Sequence, residues 1–163
     1  NISYTIYTNL HTNTAYSSLA AQVTKIFPIT LNTFIIPTIY GRFIFNDGIP
    51  FMYSNVIGGE GYNPHYEQQI PFSGLTHTES TLKLLGNAQI QVRHKFHEKQ
   101  YLTLSGNYAI HQNQFSNFLQ GKKIYGTSIG YGYDSPLGPI EGFICYSNRT
   151  NKLGFYLNIG FGF

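Results

Sequence analysis

Along most of the chain apolar and polar residues take turns at every second position, the periodicity of a strand with two unlike faces. Eight segments carry this pattern. In residues 2–10, Ile2, Tyr4, Ile6 and Leu10 share one face, and Ser3, Thr5, Tyr7 and Asn9 share the other. Residues 16–27 set Leu19, Ala21 and Val23 against Ser18, Gln22 and Thr24. Residues 33–45 are apolar on both faces and contain Pro37, which cannot donate to a ladder. In residues 82–96, Leu82, Leu84, Ala88, Ile90, Val92 and Phe96 oppose Asn87, Gln89, Gln91, Arg93 and Lys95. Residues 101–111 oppose Leu102, Leu104, Tyr108 and Ile110 to Thr103, Ser105, Asn107 and His111. Residues 124–133 oppose Tyr125, Ile129, Tyr131 and Tyr133 to Gly126, Ser128, Gly130 and Gly132. Residues 140–147 form the seventh segment. In the eighth, Phe155, Leu157, Ile159, Phe161 and Phe163 alternate with Gly154, Tyr156, Asn158, Gly160 and Gly162.

Segments this long suit a tilted crossing of a bilayer, which takes about 9–11 residues; strands of soluble proteins average about 5–6. The connections alternate too. They are short around residues 28–32, 97–100 and 134–139, and longer at 11–15, 46–81, 112–123 and 148–152. Short periplasmic turns and long exterior loops distinguish the two sides of an outer-membrane barrel. The pattern therefore predicts an all-β, antiparallel transmembrane barrel of eight strands, one domain over residues 1–163, in the bacterial outer membrane, with lipid around it and both termini periplasmic.

Composition narrows the alternatives. Asp, Glu, Lys and Arg make up 10% of the chain, against about 25% in soluble domains, while aromatics reach 17%. No window approaches the ~20 apolar residues of a transmembrane helix. In a barrel the lipid-facing and inward-facing positions average to this middling hydropathy, whereas disorder favours many charges and few aromatics. The net charge of +3 is spread without a basic cluster, which excludes nucleic acid as a partner. The lone Cys145 reads as an inert buried thiol. The six histidines show no metal-ligand spacing; His94 and His97 fall on opposite faces of a strand. There is no Gly-x-Ser-x-Gly elbow and no carboxylate pair among Glu60, Glu67, Glu79, Glu98 and Glu141. No metal, cofactor or catalytic activity is expected of this chain. With no initiator Met and no signal peptide, it reads as a mature piece whose export signal lies upstream.

The long connection at residues 46–81 contains Gly58, Gly59 and Gly61 and three of the seven prolines, Pro50, Pro64 and Pro71. Loops of this length are usually functional. It is expected either to fold into the lumen as a plug or gate, using Gly58, Gly59, Glu60, Gly61, Tyr62, Pro71 and Phe72, or to stand outside as an extracellular loop. Arg42, Arg93 and Lys95 on the polar faces are expected to line the lumen, with Glu60 or Glu67 as partners.

Three strands, a long loop and five strands resemble the last eight strands of a sixteen-stranded barrel of the bacterial surface antigen (BamA-type) superfamily. Residues 86–96 (GNAQIQVRHKF) resemble the strand after that family's lumen loop. Ser135, Pro136, Leu137, Gly138 and Pro139 match its late Ser-Pro-Leu-Gly-Pro turn. The alternating end Phe155, Leu157, Ile159, Phe161 and Phe163 resembles the signal that the barrel-assembly machinery reads during insertion. The family's loop usually carries Val/Ile-Arg-Gly-Phe/Tyr, but here Gly59, Glu60, Gly61 and Tyr62 stand there, with Glu60 in place of the Arg. The run Ile57-Gly58-Gly59 followed by Gln69-Ile70-Pro71-Phe72-Ser73-Gly74-Leu75 is more similar to barrels appended to patatin-like phospholipases. The resemblance implies a barrel that anchors, displays or translocates such a domain, with any hydrolase residues outside this chain. Protein insertion or secretion, and a stand-alone structural or adhesive barrel, are the alternatives. The polar faces, rich in Ser, Asn, Gln and Gly, fill a narrow eight-stranded interior poorly. An N-terminal barrel half or a second chain is therefore expected to complete the wall, because lipid tolerates no open edge.

Overall fold

In the computed structural model the described residues are 1–9, 14–45, 50, 53–59, 68–75, 77–136 and 138–160. The strands are β1 (Ile2–Asn9), β2 (Thr14–Thr24), β3 (Phe27–Thr30), β4 (Thr33–Ile44), β5 (Val56–Ile57), β6 (Gln69–Ile70), β7 (Glu79–Ser80), β8 (Leu84–His97), β9 (Gln100–Gln112), β10 (Lys122–Ser135), β11 (Gly138–Ser147) and β12 (Lys152–Ile159). A short 3-10 helix, Phe115–Gln120, joins β9 to β10. One antiparallel sheet runs in the order β1-β2-β4-β8-β9-β10-β11-β12, with β3 continuing β2 along β4. Setting aside the β5–β7 insertion, every strand pairs with its neighbour in sequence. Among the described residues the sheet does not close: β1 and β12 each have a partner on one side only.

The strands extend past the alternating segments because the hairpins are tight. Glu98–Lys99 suffices between β8 and β9, and Leu31–Asn32 between β3 and β4. The segment at residues 16–27 in fact continues to Thr30 after a lapse at Lys25–Ile26. Pro37 explains the lapse. Its carbonyl accepts the Lys25 N–H at 3.2 Å, but proline has no N–H to return, so the ladder breaks opposite it. On its other side Pro37 pairs in register with Ile90. The connection after β11, expected to be long, is a four-residue turn, Asn148–Asn151, in which Asn151 takes φ 50°, a conformation asparagine tolerates.

Burial is the reverse of a soluble sheet. On β9 Thr103 is 2% exposed while its neighbour Leu104 is 54% exposed. Ser105, Asn107, Ser128 and Ser147 are buried; Leu102, Tyr108, Ile129, Ile144, Phe155, Leu157 and Ile159 are exposed. One face is thus bare and apolar, and the other is polar and covered. Apolar-out, polar-in alternation is the pattern of a barrel wall set in lipid. The polar face is covered by the β5–β7 insertion, whose Ile57, Ile70, Phe72 and Leu75 form a cluster with Leu85, Ala109 and Ile124 of the sheet.

Candidate functional site: a loop seated on the polar wall

The insertion has a structure of its own. β5 pairs in parallel with β6 and antiparallel with β7. Past β5 the pairing continues through single bonds: Gly58 N–H to the Ile70 carbonyl (3.0 Å), Gly59 N–H to Leu75 (2.6 Å), and Phe72 N–H back to Gly59 (3.2 Å). Two segments eleven or more residues apart thereby become one unit.

That unit is pinned to the wall at its tip. Ser73 Oγ lies 2.8 Å from Ser105 Oγ and 3.2 Å from Ser128 Oγ, and those two lie 2.6 Å apart. Asn107 Nδ2 donates to the Pro71 carbonyl (3.2 Å), and Thr150 Oγ1 to the Gly74 carbonyl (3.4 Å). Backbone lies on backbone here. A Cβ on Gly126 would sit 1.9 Å from the Ser73 carbonyl oxygen, and one on Gly74 would sit 2.3 Å from the Tyr146 carbonyl. Gly74 also has φ 84°, which L side chains rarely adopt. Phe72 and Ile57 are fully buried; such side chains contribute roughly 1.5–3 kcal/mol each when removed from water.

The root of the insertion hangs on Arg42 of β4. Its Nη1 donates to the Ser54 carbonyl and Asn55 Oδ1 (both 3.3 Å), and its Nη2 to Ser18 Oγ (3.2 Å) and the Tyr53 carbonyl (3.4 Å). Asn55 Nδ2 then reaches the carbonyls of Leu82 (2.8 Å) and Lys83 (2.9 Å) on the descending limb. The guanidinium fork, with five donors, ties the ascending limb to the wall, and the Asn55 amide ties it to the descending limb. Further along, Arg149 Nε donates to Glu79 Oε2 at 3.0 Å, linking β7 to the β11–β12 turn.

A second polar constellation lies toward the tight-turn end. Arg93 Nη2 pairs with Glu141 Oε1 at 3.4 Å, and Tyr101 Oη donates to the same oxygen at 2.8 Å. Arg93 Nε donates to Thr103 Oγ1 (3.2 Å), and its guanidinium lies 4.5 Å from the Tyr101 ring centroid. Arg93 is on β8 and Glu141 on β11, with β9 and β10 between them. At about 4.8 Å per strand both side chains must lie along the wall to meet. Gly132 leaves the space: a Cβ there would fall 2.3 Å from the Tyr101 ring.

Of the residues singled out from sequence, Arg42 and Arg93 both lie on the covered face within hydrogen-bond networks, and Gly58, Gly59, Pro71 and Phe72 lie in the seated insertion. Glu60, Gly61, Tyr62 and Glu67 lie outside the described residues. Lys95 is exposed beside the β8–β9 turn, and its N–H bonds Asn32. Ser135 and Gly138 pair across the β10–β11 hairpin, as do Asp134 and Pro139; Pro136 is in its turn, and Leu137 lies outside the described residues. Phe155, Leu157 and Ile159 are on the bare face of β12, and Phe161 and Phe163 lie outside the described residues. His94 Nδ1 is 2.9 Å from Thr33 Oγ1, and His111 Nδ1 accepts the Leu82 N–H. Among the described residues no group of three His, Cys, Asp or Glu could hold a metal. The alternation puts Ser105, Asn107, Gly126 and Ser128 on the polar faces without marking them as contacts of the insertion, and it gives no sign of the roles of Tyr101 and Asn55. The available signal was the run of small residues on the polar face of β10.

A family model of the OMP85 superfamily matches residues 2–163. The chain belongs to the OMP85 superfamily. A search of curated proteins finds no match. Membership makes this an outer-membrane barrel of an assembly and secretion superfamily, and its bare apolar face then has a solvent, the lipid. No helix among the described residues is long and apolar enough to cross a membrane. In an OMP85 barrel the strands make the crossing.

Proposed function

We propose that this chain forms one side of a larger OMP85 barrel in which the β5–β7 insertion is a lumenal plug, and that the barrel anchors a patatin-like domain and displays or passes it at the outer membrane. One observation carries the first part: a three-stranded insertion with a buried Phe72 is seated on the inward-facing wall. The interior of an eight-stranded barrel is just wide enough for its own side chains, so an insertion of this bulk calls for a wider lumen. The single-sided edges of β1 and β12 call for the same strands, because backbone groups in lipid must be paired. An N-terminal barrel half or a second chain would supply them. Glu60, Gly61 and Tyr62 belong to the proposed plug with Gly58, Gly59, Pro71 and Phe72. Arg42 and Arg93 belong to the lumen lining, with Lys95 at its tight-turn rim. The alternating end from Phe155 through Leu157, Ile159 and Phe161 to Phe163 is the proposed signal for the barrel-assembly machinery.

The patatin-like partner rests on the two segments whose residues resemble patatin-linked barrels, 57–59 and 69–75. Their mutual backbone bonds make them a single piece, which supports reading them as one motif. The test is the denatured mass of the native polypeptide extracted from outer membranes, together with the sequence of any part upstream. A much larger polypeptide with a Gly-x-Ser-x-Gly elbow is the expected result. A mass near 18.4 kDa without a partner chain would sink the larger barrel. Repeated small α/β periplasmic domains upstream would replace the patatin-like partner with an insertion or secretion role.

A further inference from the structure

The connection between β9 and β10 does not arch over the polar face; it folds back over the bare one. The Phe118 ring of the 3-10 helix lies against Gly86, where a Cβ would sit 3.0 Å from its Cζ. The Phe115 ring centroid is 5.0 Å from that of Phe43. Gly86 and Phe43 belong to the outward rows. Their chain neighbours Leu85 and Arg42 point to the covered side, Leu85 into the plug cluster and Arg42 onto the insertion root. Leu84, the cross-strand partner of Phe43, is buried at this spot. The helix is therefore docked on the outside of the wall by Phe118 and Phe115, close to the ends of β4, β8 and β9.

Its exposed side chains are the apolar Phe115 and Leu119 together with the polar Ser116, Asn117 and Gln120. Phe115 is 63% exposed and Leu119 is 76% exposed. On the same side of the wall the strands expose Ile90, Leu104, Tyr108 and Tyr125. After the helix comes Lys123, exposed on the same face as its cross-strand partner Ile110, while Lys122 faces the covered side with His111. Between residues 80 and 133 the sequence holds one carboxylate, Glu98, and it sits in the turn at the opposite end of β8 and β9. Lys123 thus has no acidic side chain near it in β8, β9 or its own end of β10. Apolar side chains at the rim of a lipid-facing wall, followed by an outward-facing lysine, have the chemistry of an interfacial element that meets acyl chains and anionic headgroups together.

We propose that the 3-10 helix Phe115–Gln120 anchors this end of the barrel in the adjoining leaflet, with Phe115 and Leu119 among the upper acyl chains and Lys123 holding the phosphate of an anionic lipid. The inference rests on the superfamily's membrane location and not on the patatin-like reading.

The experiment uses the full protein reconstituted into vesicles of phosphatidylcholine, with or without phosphatidylglycerol. Phe115→Trp and Leu119→Trp are read as difference fluorescence against the unsubstituted protein; this sequence contains no Trp. Leu104→Trp, on the bare face of β9, reports bilayer insertion independently. Acyl-brominated lipid is expected to remove about half of the emission at 115 and 119, as for groups seated at the acyl boundary, and phosphatidylglycerol is expected to increase that quenching. Lys123→Gln should abolish the increase while leaving the signal from position 104 unchanged, whereas Lys122→Gln, on the opposite face of the strand, should retain it. Quenching at 115 and 119 by aqueous iodide, with none by brominated lipid and normal quenching at 104, would overturn the anchor and point to a protein or water neighbour. Equal quenching in neutral and anionic vesicles would overturn the phosphate contact.

Discussion

At the scale of single residues, the seat of the insertion depends on side chains that are absent as much as on those present. Gly126 faces the Ser73 carbonyl so closely that even a methyl group would collide with it. Gly126→Ala is expected to lift the tip off the wall. Proteinase K should then cut within residues 46–83 of the reconstituted protein at least several-fold faster, with the strands still resistant. Thr127→Ala, one residue along on the exposed side, should leave cleavage unchanged. The Arg93–Glu141 pair makes a second residue-scale case. Glu141 is 1% exposed, and Glu141→Ala would deprive both the Arg93 guanidinium and the Tyr101 hydroxyl of an acceptor. Breaking such a buried pair costs on the order of 3 kcal/mol. The expected outcome is a lowered urea midpoint for loss of the heat-modifiable band on gels. Arg93→Ala combined with Glu141→Ala should cost less than the two single changes added together. Strict additivity would mean the two residues act separately.

At the scale of elements, the strands were legible and the insertion was not. Period-two alternation is local information, so β8, β9 and β10 could be placed to within a few residues. Pro37 was visible as an irregularity, yet its effect fell on the neighbouring strand, at Lys25–Ile26, because a missing donor is felt by the acceptor opposite. The insertion follows no period. Its form comes from Phe72, Ile57 and Leu75 finding Leu85, Ala109 and Ile124 on the wall, and those contacts exist only after the sheet has formed. Phe72→Ala is expected to weaken docking by about 3 kcal/mol. In planar bilayers it should appear as a higher or flickering conductance, whereas an unchanged conductance would mean the insertion does not obstruct the lumen. The 3-10 helix was equally hidden. Residues 112–123 read as an exterior loop, and only the contacts of Phe115 and Phe118 with Phe43 and Gly86 send it to the outside of the wall.

At the scale of the whole molecule, the governing fact is an inside-out sheet with two edges. A bare apolar face is unfavourable in water and favourable in lipid, and an unpaired strand edge is unfavourable in lipid. Further strands completing the barrel, as proposed above, would meet both conditions together. In the native protein extracted in mild detergent, the outward-pointing amides of β1 and β12 are expected to resist hydrogen exchange about as well as those of β9. Exchange at these edges that is orders of magnitude faster would mean no strands lie beside them.

The long strands, their two faces and the membrane setting could be read from the chain because each is written within ten or so consecutive residues, in a pattern that lipid reverses relative to water. The signal survives without any knowledge of what lies across the barrel. Pairings between distant positions could not be read in this way. Ser73 meets Ser105 and Ser128 across separations of 32 and 55 residues, and Arg93 meets Glu141 across 48. These contacts depend on the register of several strands at once, on the curl of the wall, and on glycines at 126 and 132 that leave room for another group. A one-dimensional pattern carries none of that information, so the seated insertion, the buried ion pair and the outward-folded helix emerge only when the sheet is assembled.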